Sequence, residues 1–244
     1  MTTTAARIDR SEAPRQSLAG VAAAGIVGAL TLGSSFLLLP SPPAISVPLG
    51  QLVAWANGHH DLLLLTAWLE AVGAALFVAF LLMVASMNVS GQRTARLLTV
   101  LCGGAVLTVS LVYAISVIML AESSKIGGTQ LRTAAVAYGL FAACEHTFLL
   151  APPVFLSLGF ALRGSSLLGS RFSKSAVALG CAAVVVGLVG LFYAKPQNGG
   201  AAGLAINLLI GSQSLWVLVA AVSLQRRALL TRRTATHPAA EGVA

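Results

Sequence analysis

Six apolar segments, each long enough to cross a lipid bilayer, constrain the fold of this chain more than any other feature. An α-helix rises about 1.5 Å per residue, so the roughly 30 Å hydrocarbon core of a membrane requires about twenty apolar residues. The segments lie at residues 17–39, 62–87, 95–120, 133–162, 174–194 and 202–225. We therefore predict an all-α fold: a polytopic membrane protein built as a bundle of six transmembrane helices.

The composition agrees with this prediction and excludes a separate soluble enzyme domain. Apolar residues make up 57% of the sequence and charged residues only 9%, whereas soluble domains carry about 25% charged residues. No polar segment is longer than a connecting loop or a terminal tail. We divide the chain into an N-terminal tail at 1–16, a transmembrane domain at 17–225 and a basic C-terminal tail at 226–244.

The distribution of basic residues predicts the orientation of the bundle, because cytoplasmic loops of membrane proteins are enriched in Lys and Arg. With the N-terminus inside, only Lys125, Arg132 and Lys195 fall on the outer side. The other twelve basic residues fall on the inner side: Arg7, Arg10, Arg15, Arg93, Arg96, Arg163, Arg171, Lys174, Arg226, Arg227, Arg232 and Arg233. We expect both termini in the cytoplasm and the protein in the plasma (inner) membrane.

The net charge of +8 follows from the same bias, so nucleic acid is not an expected partner. Membrane lipids are expected partners, and the basic tail is suited to anionic headgroups. A second copy of the chain, or another membrane protein, is the other expected partner, held through helix faces rich in small residues. These faces contain Gly20, Gly25, Gly28 and Gly33 in the first span and Gly180, Ala183, Gly187 and Gly190 in the fifth.

The outer loop at 40–61 is predicted to contain a short helix on the membrane surface. Its proline-rich start cannot be helical throughout. Ser46 is placed to cap a helix with Pro48 in its first turn and Gly58 at its end, and Trp55 suits an interfacial depth. An ordinary connecting loop is the alternative.

Two glutamates inside predicted spans are the main candidates for a functional site. Glu70 lies about 12 Å from the outer end of the second span, and Glu145 about 18 Å from the outer end of the fourth. A charged side chain at such depth costs roughly 2.5–3.5 kcal/mol on insertion scales and is a functional hypothesis by default. In the structural alternative, both are neutral or paired acids that hold helices together.

Other polar residues are predicted at a similar depth. Tyr113 on the third span, and Asn207 and Gln213 on the sixth, join Glu70 and Glu145 in the predicted ligand-binding set, provided that these helices are neighbours. His146 points about 100° away from Glu145 on a helix. The candidates for a catalytic role are Glu70, Glu145 and His146. Pro152 and Pro153 are expected to kink the fourth span just inward of Glu145.

No cofactor and no metal site are predicted. His59, His60 and Asp61 are adjacent, but neighbouring residues on a helix point apart and no third ligand is suitably spaced. The sequence contains no P-loop, dinucleotide-binding glycine pattern or HExxH motif.

The run AWANGHHDLLLLTAWLEAVGAALFVAFLLMVAS at residues 54–86 resembles a segment of small actinobacterial multi-spanning membrane proteins. In that family a loop with histidine precedes a helix with the pattern AWL-x-x-x-G. The resemblance implies a bacterial membrane protein with about six spans, and it implies no particular activity.

Three functions are compatible with these residues. The leading hypothesis is binding or transport of a small molecule or a proton at a carboxylate-containing site in the outer half of the bilayer. The second is an intramembrane enzyme that uses a buried glutamate as acid or base on a lipid or isoprenoid. The third is a non-catalytic membrane subunit or regulator. A pocket that holds both carboxylates would favour the enzyme. A water-filled funnel that leads to Glu70 would favour the transporter, and tightly packed acids would favour the subunit.

Overall fold

The computed structural model describes residues 13–43, 47–87, 93–123, 131–144, 151–165, 167–193 and 201–236. In this part of the chain, the protein is entirely helical and contains no strand, which confirms the all-α prediction. The eight helices are α1 (Ala13–Leu38), α2 (Leu49–Gly58), α3 (His60–Met87), α4 (Arg93–Ser123), α5 (Leu131–Cys144), α6 (Ala151–Ala161), α7 (Gly169–Tyr193) and α8 (Ala201–Thr236).

Five of these helices, α1, α3, α4, α7 and α8, are long and apolar enough to cross a membrane. Their length and composition are those of a helical multi-pass membrane protein. The segment predicted as the fourth span contains the two shorter helices α5 and α6, and residues 145–150 between them lie outside the described residues. The six-span count therefore stays a prediction.

The two prolines of the fourth segment lie in the first turn of α6. Proline is tolerated there, because the N–H groups of a first turn have no partner within the helix. Pro152 and Pro153 thus stand at the start of a helix in the described structure, and a kink between Glu145 and these prolines falls outside the described residues.

The helices pack in a ring that follows their order in the chain. α1 packs on α3, α3 on α4, α4 on α6, α6 on α7 and α7 on α8, and α8 returns to α1. α5 lies against α4, and the short helix α2 packs on α3, α4 and α5 with Leu52 and Ala56 buried. The helix begins at Leu49 with Pro48 as its N-cap and, within the described residues, has no side-chain cap, so the prediction that Ser46 caps it, with Pro48 in the first turn, is wrong. The position of α2 relative to the membrane surface stays a prediction.

Two clusters of buried apolar side chains fill the ring. The larger cluster includes Phe80, Phe155 and Trp216 from α3, α6 and α8. The smaller one joins α2, α4 and α5 to the first half of α3. Along α3 the smaller cluster extends to Ala71 and the larger begins at Phe77. Glu70 therefore lies close to the level at which the two clusters meet.

Glycines allow α1 and α3 to approach closely at this level. A Cβ added to Gly73 would lie 2.5 Å from the backbone nitrogen of Leu32, and one added to Gly28 would lie 2.6 Å from that of Phe77. Neither contact could be relieved by rotating a side chain, because the neighbouring atoms belong to the backbone. Within the predicted small-residue faces, Gly25, Gly28 and Gly180 are packed against other helices of the same chain, whereas Gly20 and Gly33 face open space.

Candidate functional site

Glu70 lies in the interior of the bundle, on the face of α3 that packs against α1 and α4. Glu70 is only 5% exposed. On the same face of α3, Thr66, Gly73 and Ala74 form a stripe of residues that are also buried. This orientation is typical of the sequence pattern, because a stripe of small and polar residues on a membrane helix normally faces the bundle.

The Glu70 carboxyl is hydrogen-bonded to a serine on the neighbouring helix. Ser35 of α1 is 4% exposed, and its Oγ lies 2.8 Å from Glu70 Oε2. The same Oγ lies 2.7 Å from the carbonyl oxygen of Leu32, one turn earlier in α1. The hydroxyl of Ser110 on α4 also interacts with the carboxyl. One side chain of α3 therefore connects three helices.

The position of Ser35 has a consequence for the protonation of Glu70. A hydroxyl has a single hydrogen, and that of Ser35 has two oxygens within reach. When Glu70 carries a proton, its carboxyl can donate to Ser35 Oγ, whose hydrogen then goes to the Leu32 carbonyl. When Glu70 is ionised, the hydroxyl rotates and donates to the carboxylate. The same heavy-atom positions therefore accommodate both states.

No basic side chain in the described part of the chain forms an ion pair with Glu70; the ion pairs found there involve His60. A positively charged neighbour would hold a carboxylate in its ionised form, whereas a hydroxyl bonds to either form. The hydroxyl groups described beside the carboxyl can therefore hydrogen-bond to its neutral or its ionised form.

The structure describes only part of the predicted ligand-binding set. Tyr113 lies on α4, and its ring centroid is 5.1 Å from that of Phe141 on α5. Gln213 is buried on α8, which packs on α1 and α7, and its Nε2 atom has no hydrogen-bond partner within the described residues. Asn207 lies in α8, but its side chain is outside the described part, as are Glu145 and His146. Their convergence with Glu70 stays a prediction.

Ser35 is the residue of this site that sequence reasoning missed. The available signal was its spacing from Gly28, because residues seven positions apart lie on the same face of a helix. That face already contained the small residues of the predicted packing surface. Ser110 is a second residue of this kind, and its position beside the carboxyl depends on the α3–α4 packing.

A second polar cluster joins the first turn of α3 to the last turn of α4. His60 is 8% exposed; its Nδ1 lies 2.7 Å from Asp61 Oδ1 and its Nε2 3.3 Å from Glu122 Oε1. The carboxylates approach opposite edges of the ring, and their side chains are largely exposed. The described residues contain no group of three or more His, Cys, Asp or Glu side chains arranged to hold a metal ion.

A cavity of about 130 Å³ lies between α2 and α5. Glu70 does not line it.

No protein-family model, curated protein or solved structure matches the chain. The function is therefore inferred from the site itself.

Proposed function

We propose that this protein is a six-span plasma-membrane protein in which Glu70 reversibly binds a proton, as part of the binding or transport of a proton or small molecule. The observation that carries the proposal is the placement of Ser35 Oγ between the Leu32 carbonyl and the Glu70 carboxyl. This arrangement satisfies the hydrogen bonds of the neutral acid and of the carboxylate without movement of either helix.

In the proposed topology, α5 and α6 together form the fourth crossing, and both termini face the cytoplasm. Two observations support it. In the ring of helices, α6 packs against both α4 and α7, and α5 packs beside α4. The basic residues follow the bias that marks cytoplasmic loops.

The proposal is tested by following the Glu70 carboxyl in the purified protein. The C=O stretching band of a neutral carboxyl is recorded by infrared difference spectroscopy across a pH series, in the wild type and in Glu70→Gln. Glu122→Gln is the matched control, because it removes an acid whose side chain is 51% exposed. We expect a band that titrates reversibly, is lost in Glu70→Gln and is retained in Glu122→Gln.

A transport assay extends the test. Protein reconstituted in liposomes with an enclosed pH-sensitive dye should move protons down an imposed gradient, and Glu70→Gln should lose this activity. If the Glu70 band does not titrate at any pH at which the protein stays folded, reversible proton binding is refuted.

The second candidate function is a non-catalytic membrane subunit, in which Glu70 is a permanent link between helices. The tight contact between Gly73 and the backbone of Leu32 favours it, because it leaves little room beside the carboxyl for a bound molecule. In that case Glu70→Gln keeps a hydrogen bond to Ser35, and neither titration nor proton movement is observed. The enzyme hypothesis uses Glu70, Glu145 or His146 as acid or base, and of these Glu145 and His146 lie outside the described residues.

A further inference from the structure

The cavity between α2 and α5 is lined almost entirely by apolar side chains. Its lining residues are Val47, Leu49, Leu52, Ala135, Tyr138 and Gly139. The polar side-chain atom among them, the Tyr138 hydroxyl, donates a hydrogen bond to the carbonyl oxygen of Pro43. Among the residues that the structure describes, no charged side chain lines the cavity.

Water is a poor occupant of such a space, because a buried water needs two to four polar partners. An apolar cavity of roughly 150 Å³ in another protein stays dry and takes up benzene, and this cavity is of similar size, at about 130 Å³. Its volume therefore suits a short length of hydrocarbon.

The surface beside the cavity faces lipid in the proposed topology. On α5, Val136 is 64% exposed and Leu140 is 37% exposed, and Gly139 lies between them in the chain. A Cβ added to Gly139 would meet no atom within 4 Å. On the other wall, Leu49 in the first turn of α2 is 38% exposed. The apolar lining is thus continuous with apolar residues on the outside of the bundle.

We propose that an acyl chain of a bilayer phospholipid inserts between α2 and α5 and fills this cavity. The chain enters past Gly139, where the absence of a side chain leaves an opening, and reaches Leu52 beneath α2. Filling the cavity supports α2, whose contacts with α3, α4 and α5 are fewer than those among the long helices. The inference does not depend on Glu70, and it is tested without a transport assay.

The test uses full-length protein in nanodiscs that contain phosphatidylcholine with a diazirine in one acyl chain. After irradiation, the labelled residues are identified by mass spectrometry. Leu52 and Tyr138 are 2% and 7% exposed, so lipid on the outside of the bundle cannot reach most of their surface. Label on these two residues therefore reports a chain inside the cavity, and label on Val136 reports the surrounding bilayer.

Two variants fill the cavity from the α5 side, Gly139→Leu and Ala135→Leu. Gly104→Leu on α4 is the matched control, because a Cβ there also meets nothing within 4 Å but the residue does not line the cavity. We expect label on Leu52 and Tyr138 in the wild type and in the control, loss of that label in the filled variants, and unchanged label on Val136.

Three outcomes would overturn the proposal. Label confined to exposed residues would mean that no acyl chain enters. Label on Leu52 and Tyr138 that persists in both filled variants would mean that the lipid reaches these residues without entering the cavity. A separate labelling experiment uses a fatty acid that carries the same diazirine. If the fatty acid labels the cavity residues and the phospholipid does not, the occupant is a free amphiphile and not a bilayer lipid.

Discussion

Replacing Gly73 by alanine should separate α1 from α3 and break the hydrogen bond at Glu70. The added Cβ would lie 2.5 Å from the backbone nitrogen of Leu32, whereas ordinary contacts begin at 3.4 Å. The difference requires the two backbones to move apart by about 0.9 Å. Ser35 is one turn from Leu32, so a rigid shift of α1 lengthens its 2.8 Å bond to Glu70 to about 3.7 Å, beyond the hydrogen-bonding range.

The expected cost follows from these displacements. Overpacking of a tight interface costs about 1–3 kcal/mol, and the lost hydrogen bond adds about 0.5–1.5 kcal/mol. Removing a glycine from a helix interior returns about 0.5–1 kcal/mol. Taking the central values together, we expect Gly73→Ala to lower the free energy of unfolding by about 2 kcal/mol.

Gly33→Ala is the matched control, because it lies in α1 and its added Cβ meets nothing within 4 Å. It should leave stability unchanged or raise it by up to about 1 kcal/mol. Both variants are compared by reversible unfolding in mixed micelles, and the infrared band of Glu70 should shift in Gly73→Ala alone. If the two alanine variants have equal stability, the close approach of α1 and α3 is refuted.

Three further predictions concern other contacts. In a double-mutant cycle of Ser35→Ala and Glu70→Leu, unfolding should give a coupling energy of about 0.6 kcal/mol and at most about 1.7 kcal/mol, which are the average and the maximum for hydrogen bonds between membrane helices. Additive effects would contradict the bond. Glu122→Gln should lower the free energy of unfolding by less than about 1 kcal/mol, because the side chain is half-exposed. This loss should become smaller when salt is added, and a larger loss that does not depend on salt would contradict a surface ion pair with His60. The proposed topology is tested in cells with a membrane-impermeant thiol reagent. It should label Gln51→Cys, which lies outside in this topology, in intact cells, and Lys174→Cys, which lies inside, only after lysis. The reverse pattern would mean that the orientation is inverted.

Much of the helical framework could be predicted from apolar segment length, because a bilayer imposes a minimum number of apolar residues on each crossing. The ends of the helices were less predictable. α8 continues to Thr236, beyond the apolar segment that ends at 225. Its backbone hydrogen bonds do not require an apolar environment, and the Arg, Ala and Leu residues that follow are good helix formers.

The candidate site was predictable in part, and the reason is geometric. The burial of Glu70 follows from the period of its own helix, which places Thr66, Gly73 and Ala74 on one face. Its partners lie on other helices, and a one-dimensional pattern does not specify which helices are neighbours. Ser35 is one of several serines in apolar segments; Ser34, beside it, instead bonds to the carbonyl of Leu30 within α1.

The closure of the ring by α8 against α1 has a consequence for biogenesis. A ribosome delivers α1 first and α8 last, yet Gly25 of α1 is packed against Ala221 of α8 as well as against Phe80 of α3. The groove along α1 must therefore remain open to lipid until α8 has been synthesised. Any nascent chain that stalls before α8 leaves that groove uncovered, where membrane chaperones and quality-control proteases can recognise it.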